Sequence, residues 1–399
     1  MISVNSRKDF DTPTRLDYAM TILMLFSSNS LWWYQARSIS VAIFTFLVAS
    51  FLYHQKKFKR ITFNGSFPYI AILIAVTLLN SLLINPNVTN YYWITVIINA
   101  FSAYLYFSAI SFSVFRKVLF NVMSVLMGIN ILLMGLRFVG ILPVYDVLSQ
   151  HQILHQMFFI FNMTDIDRLS GIWHEPGACQ IYINTTLLFF LPDYSQRKLS
   201  YKDKIKLFIL VAALVLTRST GGYLAFILIA FAYIWPYFIK TGYVKKVLIC
   251  FLGLSLVAGI LTSSVVQDKI AQKDQLGENS YVIRMNDNLA CWQMSIEKPF
   301  TGYGWFTKEF QYQSMQLENR SSSNGILLIG ASIGAWWYVL LFFTLVGSVR
   351  RLHLGVPFII PLLAFLAMEA NEEYMTYVFS YCFIVYFRQY RKKVVMYNK

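Results

Sequence analysis

Long apolar runs separated by short polar stretches dominate the chain from Leu16 to Phe387. Runs of about 15 to 25 apolar residues have the length of a membrane-spanning helix. The pattern therefore predicts an all-α polytopic membrane protein with about twelve transmembrane helices in one integral domain over residues 1–399. We place the helices near residues 16–34, 38–55, 67–84, 91–115, 118–140, 177–191, 205–217, 222–239, 244–262, 325–349, 354–369 and 374–387.

A longer polar stretch, residues 263–324, lies between the ninth and tenth predicted helices. Within it, Met285, Leu289, Trp292 and Ile296 recur at helical spacing. We therefore predict an amphipathic helix whose apolar face lies on the membrane or on other helices. The proline and glycines of the following segment, "KPFTGYGWF", predict turns.

The composition agrees with a membrane protein. Hydrophobic residues make up 57% of the chain and charged residues 13%, whereas charged residues are about 25% of a soluble domain. The net charge of +15 does not indicate nucleic-acid binding, because the basic residues are scattered along the ends of the apolar runs. The four cysteines form no pattern that predicts a disulfide.

Basic residues are concentrated in alternate polar stretches. Most of the 34 Lys and Arg residues lie near the two ends of the sequence or in the stretches 56–60, 116–117, 197–206, 240–246 and 350–351. Positive charge collects on the cytoplasmic side of membrane proteins. We therefore expect both termini in the cytoplasm and the long polar loop on the outer face of the membrane.

Arginines that remain on the outer face are the first candidates for function, because the charge rule disfavours them there. Arginine presents a planar fork of donors that suits two phosphate oxygens, so a pyrophosphate is the expected ligand. Each arginine could instead extend to lipid headgroups. We prefer that interpretation for Arg37, which lies beside an aromatic belt. The outer arginines are Arg37, Arg137, Arg168, Arg218, Arg284 and Arg320.

Three polar segments each carry one of these arginines to the end of a predicted helix. The segment "RLSGIWHEPGACQ" leads from Arg168 into the sixth helix, and "LTRSTGGYLAF" places Arg218 in a short turn before a helix start that favours an anion. An ordinary polar hairpin explains the second segment equally well. The segment "ENRSSSNGILLIG" places Arg320 and Asn324 at another helix N-terminus, where an anion is again favoured. Arg284 lies in the predicted amphipathic helix.

Two carboxylates, Glu175 and Glu369, adjoin apolar sequence. Burial raises the pKa of a carboxyl group and a nearby arginine lowers it, so either residue is a candidate general base. A structural salt bridge is the alternative, and we prefer it for Glu369. His174 is the second candidate for the base beside Glu175.

Aromatic and histidine residues complete the candidates. Tyr303 and Trp305 offer flat faces of the kind that stack on sugars, although anchoring at the membrane interface explains such residues too. His151 and His155 are four residues apart and would share one face of a helix. They have no third ligand nearby in the sequence, so we predict no metal site.

Several of these segments resemble the bacterial O-antigen and exopolysaccharide polymerases, which are related to the O-antigen ligases. The segments "RLSGIWHEPG" and "LTRSTGGYLAF" are similar to two blocks of that family. The stretch Arg284 to Trp305 is similar to its large loop, and Asn324, Gly330 and Gly334 match the start of its next helix. O-antigen ligases have a histidine just before that asparagine, whereas this chain has Ser323, which favours a polymerase.

The resemblance implies a GT-C-like membrane fold and a metal-independent glycosyltransferase without a cofactor, in the bacterial inner membrane. Such an enzyme transfers the growing glycan from undecaprenyl pyrophosphate to an incoming lipid-linked repeat unit on the outer, periplasmic face. We expect undecaprenyl-pyrophosphate-linked oligosaccharide and membrane lipids as partners, together with a chain-length regulator and a flippase of the same pathway. Pyrophosphate contacts are assigned to Arg168, Arg218, Arg284 and Arg320. Glu175 is assigned either acid–base chemistry or the orientation of an arginine.

Two other functions fit parts of the sequence. The first is a ligase-type transferase, which delivers finished chains to a different acceptor. In this sequence only Ser323 favours a polymerase over such a ligase. A transporter or flippase of lipid-linked sugars would have charged residues along the middle of its helices. The middle of each apolar run here is almost free of charge, which argues against transport.

Overall fold

Helices make up most of the computed structural model, which describes residues 12–28, 30, 39–58, 65–86, 91–143, 145–148, 153–158, 161–164, 168–196, 199–247, 255, 259, 262, 280–317, 324–351, 356–369 and 377–386. The first eight helices that we label are α1 (Arg15–Phe26), α2 (Ile39–Phe58), α3 (Phe67–Leu79, continued by a π-helical turn Asn80–Ile84), α4 (Tyr92–Ala109), α5 (Phe112–Phe138), α6 (Pro176–Gln196), α7 (Tyr201–Leu216) and α8 (Thr220–Lys240). The others are α9 (Ser280–Glu297), α10 (Lys308–Gln316), α11 (Gly325–Ile333), α12 (Trp336–Arg351), α13 (Ile359–Glu369) and α14 (Tyr381–Val385), the last after a 3-10 turn Val378–Ser380.

Several helices are apolar enough to lie in a membrane. Among the described residues, three helical segments are long and apolar enough to cross one, namely Phe67–Ile84, Tyr92–Ala109 and Phe112–Phe138. Shorter apolar helices are Thr220–Trp235, Trp336–Arg350 and Ile359–Glu369. These helices indicate a helical membrane protein. The span count and the side on which each end lies stay predictions.

Several helix boundaries differ from the predicted ones, and two of these differences have a clear local cause. The predicted helices 91–115 and 118–140 meet at residues 110–111 instead, because the Ser111 hydroxyl caps α5 by accepting from the Val114 N–H at 3.3 Å. The predicted helix 325–349 is broken at Gly334, whose backbone is left-handed at φ 107°. The predicted helix 244–262 and the first part of the long loop lie almost entirely outside the described residues.

A four-stranded sheet corrects the expectation of a purely α-helical fold. The strands β1 (Tyr145–Leu148), β2 (Ile153–Phe158), β3 (Phe161–Thr164) and β4 (Arg168–Gly171) pair antiparallel in that order. The prediction that His151 and His155 share a helix face is wrong for His155, which lies in β2 opposite Asp146 and Met163. His151 lies outside the described residues. The segment is rich in β-branched and aromatic residues, which favour strands.

The sheet is joined to the helices through the segment that follows β4. Trp173 is completely buried, and its Nε1 donates to the carbonyl oxygen of Ser28 at 3.2 Å. Tyr182 of α6 donates its hydroxyl to the same oxygen at 2.6 Å, and the two rings stack with centroids 4.2 Å apart. These contacts fix the start of α6 against the end of α1.

The helices around this segment place two turns side by side. α8 packs against both α6 and α13, while β4 packs against α5, α6 and α7. On the other side, α9 packs against α11. The turn between α7 and α8 therefore lies beside the start of β4 and the first turns of α6.

Candidate functional site

Two of the predicted arginines, Arg168 and Arg218, lie together at the turn between α7 and α8. Arg168 in β4 donates from Nε to the carbonyl oxygen of Thr217 at 3.4 Å, and Thr217 immediately precedes Arg218. Both guanidinium groups are close enough to the phenol of Tyr223 to act on it electrostatically. The structure thus brings together two cations from segments that are about fifty residues apart in the sequence.

The backbone of this turn is tightly constrained. Arg218 has a left-handed backbone with φ 48°, which is uncommon for a residue other than glycine. The Thr217 hydroxyl donates to the carbonyl oxygen of Leu214 at 2.7 Å, and the Ser219 hydroxyl caps α8 by accepting from the Gly222 N–H at 3.3 Å. The left-handed backbone and these two bonds set the direction in which the Arg218 side chain leaves the turn.

His174 and Glu175 lie just before α6, after the turn at Gly171 that ends β4. Nε2 of His174 is 3.8 Å from Oε1 of Glu175, and both side chains are partly exposed. The first turn of α6 follows directly, because the Cys179 N–H donates to the Glu175 carbonyl oxygen at 3.1 Å. Arg168 and this acid–imidazole pair therefore stand at the two ends of one short connection.

Glu369, the last residue of α13, is completely buried. Its neighbour Met368 accepts through Sδ from the hydroxyl of Thr185 at 3.6 Å. The carboxylate thus lies at the level of the middle of α6, inside the helix bundle. This agrees with a desolvated carboxylate, and its role as a base or as a structural partner stays a prediction.

Two buried amide side chains that lie beside the Arg218 turn are not predicted by the sequence analysis. Gln180 and Asn184 lie one turn apart on α6 and have no exposed surface. Asn184 donates from Nδ2 to Oε1 of Gln180 at 2.8 Å and to the carbonyl oxygen of Gly222 at 3.0 Å. Their four-residue spacing within an otherwise apolar run was the available signal.

The segment "KPFTGYGWF" lies against the end of α11. The N–H groups of Tyr303 and Gly304 donate to the carbonyl oxygens of Ala331 and Ser332, each at 2.9 Å. At Gly302 (φ 60°), a Cβ atom would lie 2.4 Å from the carbonyl carbon of Ser332. The glycines predicted to make turns therefore also allow one backbone to approach another closely.

Neither predicted sugar-stacking ring presents an open face in this structure. Trp305 is completely buried beside Tyr92, with ring centroids 5.9 Å apart. Tyr303 is almost buried, its hydroxyl donates to Oε2 of Glu297 at 2.6 Å, and Lys298 Nζ lies 4.3 Å from its ring centroid. Trp305 therefore packs against protein in this structure, and the sugar platform at Tyr303 and Trp305 stays a prediction. Tyr303 is likewise occupied by its own neighbours.

The hydrogen bond between Tyr303 and Glu297 alters both groups. Burial, followed by the bond to Glu297, raises the pKa of the Tyr303 phenol. The same bond is the main reason that the pKa of the Glu297 carboxyl lies below its ordinary value, with Gln293 adding a second hydrogen bond. This pair ties α9 to the loop that follows it.

Arg284 lies on α9, whose two faces differ as the sequence predicts. Its inward face, shared with Arg284, carries the buried Asp287, Cys291 and Met294. The opposite face consists of large apolar side chains, each about half exposed: Met285, Leu289, Trp292 and Ile296. The convergence of Arg284 with the Arg168–Arg218 pair stays a prediction.

Asn324 caps α11, as expected from its place at a helix start. Its Oδ1 accepts from the N–H groups of Ile326 and Leu327 at 3.1 and 3.2 Å. That oxygen is therefore engaged by its own helix. Arg320, predicted to bind phosphate next to it, lies outside the described residues.

The described part of the chain contains no group of three or more His, Cys, Asp or Glu side chains arranged to hold a metal ion. The cations at the candidate site are guanidinium groups. The chemistry available there is therefore the binding of an anion by Arg168 and Arg218, next to the partly exposed acid–imidazole pair of His174 and Glu175.

A family model described as O-antigen ligase matches residues 205–327 of the chain. The matched region runs from α7 through α8, α9 and α10 into α11, and it contains Arg218, Arg284 and Asn324. The predicted resemblance is confirmed over this region. No curated protein and no solved structure gives a significant match to the chain.

Proposed function

We propose that this chain, a membrane protein with the O-antigen ligase family domain over residues 205–327, is a polysaccharide polymerase. It transfers a growing glycan from undecaprenyl pyrophosphate to an incoming lipid-linked repeat unit on the outer face of the membrane. The observation that carries the proposal is the contact of Arg168 with the Arg218 turn. Two guanidinium groups that both act on the Tyr223 phenol at a helix start are suited to a diphosphate.

The arginine pair stabilises the charge of the departing diphosphate. Transfer breaks the bond between the donor sugar's anomeric carbon and the diphosphate, and negative charge develops on the leaving oxygen. Donors that are already fixed around that position lower the barrier, because they need no reorganisation during the reaction. Arg168 is fixed by its bond to the Thr217 carbonyl oxygen, and Arg218 by the constrained turn that carries it.

Glu175 is the proposed general base. Nε2 of His174 lies 3.8 Å from Oε1 of Glu175, so the imidazole is the neighbour that assists this carboxylate. The acceptor hydroxyl oxygen forms the new bond to the anomeric carbon, and its proton passes to Glu175. Undecaprenyl pyrophosphate leaves with the electron pair of the broken bond. Glu369 is the second candidate for the base. Its complete burial requires that the acceptor reach into the helix bundle.

The amphipathic helix α9 supports an outer-leaflet location for the site. Its exposed apolar face adjoins α12, because the rings of Trp292 and Tyr338 stack with centroids 5.5 Å apart. Val339 and Phe343 of α12 are also exposed, so one apolar surface runs over both helices. We propose that this surface lies in the membrane interface. Arg284, on the inward face of α9, then lies at the depth of lipid phosphates.

The second candidate function is that of a ligase, which the description of the matching family favours. A ligase transfers a finished glycan once, to an acceptor other than a repeat unit. The two functions share donor chemistry and differ in the acceptor, so the arginine pair serves both. Product length distinguishes them.

The test uses the purified full chain with a synthetic undecaprenyl-pyrophosphate-linked repeat unit in the presence of EDTA. A ladder of products supports a metal-independent polymerase, and its loss in Arg218→Ala assigns the donor site. Lys308→Ala is the matched control, because Lys308 is an exposed cation of α10 within the same region. A single transfer to a second lipid acceptor would favour the ligase. Absence of transfer to either acceptor would overturn both functions.

A further inference from the structure

We infer that Gln180 and Asn184 are positioning residues, which hold the Arg218 turn in the geometry that binds a diphosphate. The inference rests on the proposed function, because it concerns the same anion. It adds two residues that lie outside the region matched by the family model.

Asn184 bonds directly to the backbone of α8. Its Nδ2 donates to the Gly222 carbonyl oxygen at 3.0 Å and to Gln180 Oε1 at 2.8 Å. Gly222 lies four residues after Arg218 and donates its own N–H to the Ser219 hydroxyl at 3.3 Å. One side-chain amide of α6 therefore anchors the helix start from which the arginine turn extends.

The side chain of Gln180 packs directly against the start of α8 at Gly222. A Cβ atom at position 222 would lie 2.8 Å from Cβ and 3.2 Å from the carboxamide carbon of Gln180. Only glycine allows this approach, as in other close contacts between membrane helices. Because the two helices touch here, a change at Gln180 displaces Gly222 and the turn before it.

The polar character of the pair goes beyond what packing requires. Among the described residues, Nε2 of Gln180 and Oδ1 of Asn184 are buried without a hydrogen-bond partner. Burying such atoms is costly, and Leu or Met would fill the same volume without that cost. Polar residues inside a membrane bundle mark functional positions. The two observations together favour a role in organising the arginine site over a role in stability.

The experiment measures binding of geranylgeranyl diphosphate to the detergent-solubilised full chain by titration calorimetry. We expect Asn184→Leu to weaken binding by about tenfold, the effect of displacing one good charge-assisted contact. Thr186→Val is the matched control, because Thr186 is a buried polar residue of α6 whose hydroxyl bonds to its own helix at the Tyr182 carbonyl oxygen. Its affinity should stay unchanged. Gln180→Met provides a second test if Asn184→Leu fails to fold.

A double-mutant cycle separates positioning from stability. If Asn184 acts through Arg218, the variant Arg218→Ala/Asn184→Leu binds no more weakly than Arg218→Ala alone, because the two effects are coupled. Additive losses, or unchanged affinity in folded Asn184→Leu and Gln180→Met, would overturn the inference and leave the arginine site standing. If Arg218→Ala itself retains wild-type affinity, the proposed diphosphate site fails, and the inference fails with it.

Discussion

The hydroxyl of Tyr223 donates to the carbonyl oxygen of Val215 at 2.7 Å, and this bond joins the first turn of α8 to the last turn of α7. The same phenol interacts with the charges of Arg168 and Arg218. A hairpin of two helices is thus closed by a side chain that also faces the two cations. The turn is built as part of the candidate site.

The left-handed backbone of Arg218 allows stability and activity to be separated. We expect Arg218→Gly and Arg218→Ala both to lose polymer formation, because each removes the guanidinium. Arg218→Gly should be more stable than Arg218→Ala by about 1 kcal/mol, since glycine adopts φ 48° without a steric penalty. Thermal unfolding in detergent measures the difference. Equal stabilities would mean that the turn relaxes to an ordinary backbone in the protein.

The close approach at Gly302 predicts a large loss of stability on substitution. Gly302→Ala forces a left-handed alanine whose Cβ would lie 2.4 Å from the Ser332 carbonyl carbon, and we expect a cost of about 2 to 4 kcal/mol. Gly135→Ala is the control, because, apart from its chain neighbours and the backbone of α5 itself, no atom of the described residues lies within 4 Å of its Cβ position. That variant should be neutral or slightly more stable. Unfolding midpoints of the two variants provide the comparison.

The exposed face of α9 predicts contact with lipid. An environment-sensitive fluorophore attached to Leu289→Cys, in a background without the native cysteines, should emit at the wavelength of an apolar medium after reconstitution. It should also be quenched by lipids that carry a spin label near the headgroup. Lys308→Cys, at an exposed polar position of α10, is the control and should report water. Water-like emission from position 289 would place the helix away from the bilayer.

The hydrogen bond between Tyr303 and Glu297 predicts a stability effect that depends on pH. The pKa of Glu297 is lowered in the folded protein, so the bond contributes stability above the unfolded-state pKa and loses it as the pH falls through the folded-state pKa. Tyr303→Phe should therefore destabilise the protein at neutral pH. The difference from wild type should shrink at acidic pH. Thermal midpoints across this range measure it, and a constant difference would contradict the assignment.

Sequence patterns predicted the parts of this structure that depend on long apolar runs and on local capping. The helix starts at Ser219 and Asn324 and the amphipathic face of α9 are all present. The contact between Arg168 and the Arg218 turn was expected only because both were predicted at one membrane face. Their contact itself depends on how β4 packs against the end of α7.

The sheet and the amide pair were not predicted, for two physical reasons. Strands of four to six residues are too short to separate from helix by periodicity, so the spacing of His155 was read as helical. Gln180 and Asn184 lie within an apolar run whose average hydropathy hides single polar residues. Their significance comes from the neighbouring helix, to which Asn184 bonds at Gly222.

The backbone bonds between the loop after α9 and the helix interrupted at Gly334 restrict how these elements can move. The loop backbone is paired with Ala331 and Ser332, and the Trp336 N–H donates to the Pro299 carbonyl oxygen at 3.3 Å. These bonds span the interruption at Gly334 from both sides. The loop cannot move independently, because it is hydrogen-bonded to α11 and to the start of α12. If the proposed transferase admits its glycan on this side, α9, α11 and α12 would move together, because the backbone bonds couple them.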